Sequence, residues 1–324
     1  MPTRRTVLAT YAALALLGSA APALSQDWPQ RPVTIIVPFA AGGNTDGIAR
    51  IIAQRLGDAL GKPFVVESRP GANGAIAASA VAHAPADGYT LFMAALPQIA
   101  IGPAMTKVSY DPVRDFAPIS NVAVNAFVLA VHRDMPAKTV AEFVAYVQAR
   151  PGKLAYASSG PGSLAHLSMA LFLKMAGLDM IHVSYKGNAP ALADVLAGHV
   201  PAMFTNLSDA LPHANSGTIR LLGVSSDQRV AQLPDVPTVA ESGFPRFKTL
   251  TWNGLMAPAG TPKVIITRVA DEVRRAVKDP ALIERLATYG VDPLGSTPEE
   301  FAATIAADIP LWAEAVKIAG VSEP

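Results

Sequence analysis

"VPFAAGGNTDGIA", Val37 to Ala49, leaves an apolar run through Gly42 and Gly43 and enters a helical pattern at Asn44-Thr45-Asp46. Two explanations fit. One is a tight turn closed by a helix cap, for which Thr45 or Asp46 supplies the side chain. The other is a pocket of main-chain amides: glycine accepts positive φ and lets a ligand come close, so successive N–H groups can form an anion-binding nest.

Working outward, "VTIIVPF" is continuous, β-branched and preceded by Pro32, the pattern of a buried strand. Beyond the turn, Ile48, Ile51, Ile52, Leu56 and Leu60 recur at helical spacing, and Gly61 sits where a helix would stop. "PFVVES", "PGANGAIAASAVAHA" and "GYTLFMAA" then read as strand, turn plus helix, and strand. This β-α-β-α-β order predicts an α/β protein with mostly parallel sheets flanked by helices. The rhythm restarts with "TVAEFVAYVQAR", "LAYASS" and "SLAHLSMALFLKMAG", and continues through "IHVSY", "APALADVLAG", "VPAMFTN" and "IRLLGVSS". A proline- and glycine-rich crossing leads to the terminal helical patterns. Those helices need a sheet to cover, which assigns them to the first half. The expected organisation is two lobes: residues 27–121 and 229–324 form the first and 122–228 the second, with crossovers near Ser120–Val122 and Ser225–Ser226.

The chain has 324 residues, of which 51% are hydrophobic and 16% charged, and no cysteine. That removes disulfides, thiolate metal sites and a cysteine nucleophile. Residues 1–26 carry Arg4 and Arg5, an apolar run from Val7 to Leu17, and small residues at Ala21-Pro22-Ala23 and Ala23-Leu24-Ser25. This is the layout of a secretory signal peptide, with a twin-arginine-like start, although an uncleaved anchor shares many of its features. Its removal takes Lys plus Arg from 26 to 24 against 25 Asp plus Glu, so the balance moves from +1 to −1. A nearly neutral chain without a basic run gives no case for nucleic acid. No later stretch reaches ~18 uninterrupted apolar residues. A periplasmic monomer without metal or cofactor is expected.

A second glycine-bearing turn, "ASSGPGSLAH", again joins a strand to a helix. Ser158, Ser159 and Ser163 offer hydroxyls there, and Gly160 and Gly162 free the backbone. Each turn alone is compatible with an ordinary connection. One per lobe suggests that two helix N-termini aim at a shared cleft, where a carboxylate gains charge-assisted hydrogen bonds without a buried guanidinium. A hydrolase fits poorly. Ser163 has Pro161 before it and Ala165 after it, in place of the glycines of a nucleophile elbow, and no acid near Ser163 and His166 orients the imidazole. His166 reads as a packed or hydrogen-bonding helix residue, and His132, His182 and His199 as structural or surface groups. Asp46 is equally suited to orienting a ligand amine or water and to capping the helix.

These stretches, with "VVESRPGANGAIAA", "YDPVRDFAPIS", "HVSYKGNAPALADVLAGHV" and "LPDVPTVAESG", closely resemble the Bug receptors, the extracytoplasmic solute-binding proteins of tripartite tricarboxylate transporters. The resemblance runs from Trp28 to about Gly320. It implies a two-lobed type II periplasmic-binding-protein fold without catalysis. It also implies a carboxylate held by Phe39, Ala41, Gly42, Gly43, Asn44, Thr45 and Asp46 from one turn, and by Ser158, Ser159, Gly160, Gly162 and Ser163, with His166, from the other. The implied partners are an organic acid and a membrane permease, or in some members a sensor kinase. Departures concern the far end of the ligand: Ala94-Ala95-Leu96 replaces a serine-rich turn, and Thr205-Asn206 replaces Asp-Asn. Ala95, Asn206 and Trp252 are therefore further candidate contacts. A less polar distal pocket is expected, suited to an aromatic or longer aliphatic acid, with Phe39 or Trp252 packing on a ring.

Overall fold

A computed structural model describes residues 28–321. The signal-peptide reading lies outside them. Among the described residues, no helix is long and apolar enough to cross a membrane.

The opening stretch forms strand β1 (Val33–Val37), a turn, and helix α1 (Asn44–Leu60). In β1 the side chains of Val33, Ile35, Ile36 and Val37 are all buried, as expected of a strand covered on both faces. The apolar stripe of α1 (Ile48, Ile51, Ile52, Leu56) is buried too. Full burial of each such side chain contributes ~1.5–3 kcal/mol. Gly61 ends α1 at φ 73, a left-handed position that a side chain would strain.

Strands β2 (Phe64–Ser68) and β3 (Thr90–Ala95) lie parallel to β1 on either side of it. A 3-10 turn (Ala72–Gly74) and helix α2 (Ala75–Ala82) join them. After β3 come a π turn (Pro97–Ile101) and helix α3 (Gly102–Met105). Strand β4 (Phe116–His132) is 17 residues long and was not foreseen as one element. The second half supplies α4 (Val140–Gln148), β5 (Ala155–Ser158), α5 (Leu164–Ala176), β6 (Ile181–Ser184) and α6 (Asn188–Leu196). It continues with β7 (Ala202–Asn206), α7 (Leu207–Asn215) and β8 (Ile219–Val224). The chain then returns through β9 (Leu250–Pro258), α8 (Lys263–Ala276), α9 (Pro280–Ala287), the short β10 (Asp292–Pro293) and α10 (Pro298–Ala319). A capping box between Thr297 and Glu300 starts α10.

The sheet runs β2-β1-β3-β9-β4-β7-β5-β6. Its outer strands are parallel as expected, whereas β9 and β4 pair antiparallel with their neighbours. β4 pairs with β9 from Phe116 to Ala126 and with β7 and β8 from Phe127 onward. Following the directions across, β1 is parallel to β4 and β5 is antiparallel to it. The carboxyl end of β1 is thus directed toward the half that holds β5, and the carboxyl end of β5 toward the half that holds β1.

Candidate functional site

The first turn is built around Asp46, 2% exposed in the first turn of α1. Its Oδ2 accepts from the Gly42 amide at 2.9 Å and from Arg50 Nε at 2.8 Å. Its Oδ1 accepts from Arg50 Nη2 at 3.1 Å and from Ser68 Oγ at 3.4 Å. The Arg50 hydrogen bond holds the Asp46 carboxyl below the usual range, against the opposing effect of burial. These bonds correct the capping expectation. Both oxygens of Asp46 brace the turn, and Asp46 does not cap the helix. Nor does Thr45: the N-cap is Gly43, with no side-chain bond to the first amides. Thr45 Oγ1 instead accepts from Asn253 Nδ2 at 2.9 Å, and Asn44 Nδ2 donates to the Tyr289 carbonyl at 2.7 Å. Phe39 is half-buried, while Ala41, Gly42, Gly43 and Asn44 are exposed. The turn is pinned by side chains, and the amides that open α1 have no side-chain cap.

The second turn is held by a ring stack. His166 and His182 lie 3.8 Å apart at 7°, with Tyr156 stacked on His182 at 5.0 Å. His166 Nδ1 accepts from the Gly162 amide at 3.1 Å, which makes this nitrogen the unprotonated one. His182 Nε2 bonds Ser158 Oγ at 2.6 Å. Burial, and then the neighbouring imidazole, push His166 down to about 4; burial lowers His182 as well. Ser163 caps α5 by accepting from the His166 amide, and the Gly160 amide donates to Ser158 Oγ. The half-buried Ser159 hydroxyl has no partner among the described residues. Ser163 does not bond the imidazole, and Ser158, which does meet one, is fully buried. Neither is placed as a nucleophile.

Gly162 has φ +71, and a Cβ there would fall 2.2 Å from Met105 Cε. The second turn therefore packs directly against the α3 segment of the first half. The two turns make no hydrogen bond to each other among the described residues. The ends of β3 and β7 carry two further candidates. Ala95 is buried and gives its amide to Gln98 Oε1. Asn206 accepts from Asn125 Nδ2 at 3.4 Å and donates to Asp209.

Trp252 is the clearest departure from expectation. Successive strand residues point to opposite faces, and Asn253 reaches Thr45. Trp252 therefore points away from the first turn, where its indole donates to Asp308 Oδ2 at 2.7 Å and packs edge-on against Phe301. Sequence reading also missed Arg50 and the stacking of His182 on His166. The i,i+4 spacing of Asp46 and Arg50 was a usable signal; the pairing of His182 with Tyr156 needs the β5–β6 register.

Two halves joined by crossing strands, each ending in a glycine turn at the carboxyl edge of its sheet, define a bilobed solute-binding protein. The model of the tripartite tricarboxylate transporter family receptor matches residues 48–320. The chain belongs to that family. It is 37% identical to protein BugT of Bordetella pertussis over 309 residues, 95% of each chain. Among solved structures, Rhodopseudomonas palustris Rpa4515 with adipate shares 38% identity at a TM-score of 0.76, covering 91% of this chain and 99% of that one. MatC of Rhodopseudomonas palustris with bound malate shares 33% at 0.71, covering 89% and 100%.

Proposed function

We propose that this chain is an exported receptor that captures a small organic carboxylate between the Phe39–Asp46 and Ser158–His166 turns and delivers it to the permease of a tripartite tricarboxylate transporter. The lobes that close are residues 27–121 with 229–324, and 122–228. One observation carries the reading: β1 and β5 run in opposite directions into turns whose polar side chains, Ser159 apart, are already engaged, which leaves the uncapped amides that open α1 and the Ser159 hydroxyl as the groups that meet a ligand. Amides at helix N-termini stabilise an anion by charge-assisted hydrogen bonds without the desolvation cost of burying a second full charge.

The adipate and malate complexes of the two relatives support a carboxylic acid. At the end of β3, Ala94, Ala95 and Leu96 are all buried and apolar. With Trp252 turned away, Phe39 is the remaining aromatic wall of the candidate site, and a longer aliphatic acid suits it better than a compact polar one. The preferred probe is adipate, ahead of malate, benzoate and aspartate.

The test is a thermal-shift and calorimetric comparison of these acids with the wild type, Ser159→Ala and Gly43→Pro. Gly43 sits at φ −81, which proline accepts, so this variant deletes one amide with little change of backbone. At a ligand concentration of 100 Kd, binding adds ~2.7 kcal/mol of stability. Adipate should stabilise the wild type and bind Gly43→Pro at least tenfold more weakly. Stabilisation by aspartate alone would overturn the ligand preference, and undiminished binding to both variants would overturn the site.

A further inference from the structure

A cavity of about 830 Å³ opens on the reverse side of the crossing strands. The register pairs Val124 with Trp252 and Ala126 with Leu250, whereas Asn125 and Thr251 pair on the other face. Val124, Leu250 and Trp252 line the cavity, together with Val230, Leu294 and Leu311. Its walls come from β4, β9, the segment after β8 and helix α10. None of the residues in the two carboxylate turns contributes to it.

Carboxylates outnumber cations around this space: Asp227, Asp292, Glu300 and Asp308 against Lys248 and Arg229. Asn121 is 2% exposed, and its Oδ1 is buried without a hydrogen-bond partner. Asp308 accepts from Trp252 Nε1 through Oδ2 and has no ion-pair partner among the described residues. Burial pushes its carboxyl up to about 6, partly offset by the Trp252 bond and by Lys248. The cations at the rim are already engaged: Lys248 pairs with Asp227, and Arg229 with Glu241. Asp292 and Glu300 add further carboxylates to the lining.

A carboxylate without an ion pair, set in a chamber with a largely apolar wall, complements a cation that carries N–H donors and a hydrocarbon body. We propose that this chamber is a second ligand site, separate from the carboxylate turns, that takes a primary organic ammonium compound with an aromatic or branched apolar body. The ammonium group pairs with Asp308. The body packs between Trp252, Leu250 and Leu311.

The test uses phenethylammonium chloride as the probe, followed by calorimetry and by tryptophan fluorescence at pH 7.5, with 2-phenylethanol as the neutral counterpart. The wild type should bind the ammonium saturably and at least tenfold more tightly than the alcohol. Asp308→Asn retains an oxygen for the Trp252 indole and removes the charge; it should lose at least tenfold in affinity. Leu311→Trp fills the chamber and should abolish binding, with melting temperatures confirming that both variants fold. Gly43→Pro should bind the ammonium normally whatever it does to adipate, so the two sites can fail separately. Equal binding of the alcohol, unchanged affinity in Asp308→Asn, or loss of ammonium binding in Gly43→Pro would each overturn the proposal.

Discussion

Acid should loosen the second turn before it harms the rest of the molecule, and the His166–His182 stack sets the size of the effect. The folded chain keeps His166 neutral down to about pH 4, because burial and the adjacent imidazole oppose its charge. In the unfolded chain the same group takes its proton near pH 6.5. Between these values the unfolded state binds more protons, so stability falls as the pH drops through 6.5 and the penalty is complete near 4. At pH 5 this difference is worth about 2 kcal/mol, rising toward ~3 kcal/mol at pH 4. Protonation of Nδ1 also removes the acceptor of the Gly162 amide. The assay is urea unfolding followed by circular dichroism at pH 7.5, 6.0 and 5.0, comparing the wild type with His166→Asn. The asparagine oxygen can still accept from Gly162 but does not titrate. Taking the difference between the two curves cancels the background of ordinary carboxylates. The wild type should lose about 2 kcal/mol more than the variant between pH 7.5 and 5. Parallel curves would refute the assignment of acid sensitivity to this stack.

Two further perturbations address the turns themselves. Asp46→Ala leaves the Gly42 amide and the Arg50 guanidinium without their acceptor. It should destabilise the fold by ~1–3 kcal/mol at pH 7 and weaken adipate binding, as read by thermal melting and calorimetry. The lowered Asp46 carboxyl contributes stability above its unfolded value near 3.9 and loses it as pH falls below that, so the wild type and Asp46→Ala should converge in acid. Gly162→Ala meets both a left-handed backbone and the Met105 thioether. The backbone term alone costs ~1–2 kcal/mol; adding Met105→Ala should recover only the steric remainder, and full recovery would show that the conformation at Gly162 carries no strain.

Much of the outer architecture was legible because its signals are local. Periodicity located α1, and Gly61 marked its end. Apolar runs located β1, β2 and β3, and the two glycine turns stood out by composition. The crossing strands were harder for a physical reason. β4 is interrupted by Pro118, Ser120, Asn121 and Asn125, and its register shifts at Pro118/Ser120 and Asn121/Ala123. Bulges destroy the two-residue alternation that identifies a strand, so the sequence showed a crossing where the structure has one long element. Trp252 failed for a related reason. Its neighbour Asn253 takes the face toward Thr45, and only the register with β4 shows which of the two residues does so. Asp46 was noticed, but its partners Gly42, Arg50 and Ser68 converge only once the turn has folded, so a bracing carboxylate looked the same as a ligand-binding one.

β4 has a consequence for how the molecule holds together. Its first eleven residues complete one sheet and its last six complete the other, so neither half owns a finished sheet of its own. Cutting the chain between them would leave exposed edge hydrogen bonds on both fragments, an invitation to aggregate. Bending between the halves must instead pass through β4 near Asn125 and Ala126, where its partners change without a break in the backbone, and through the return segment that leads from β8 into β9.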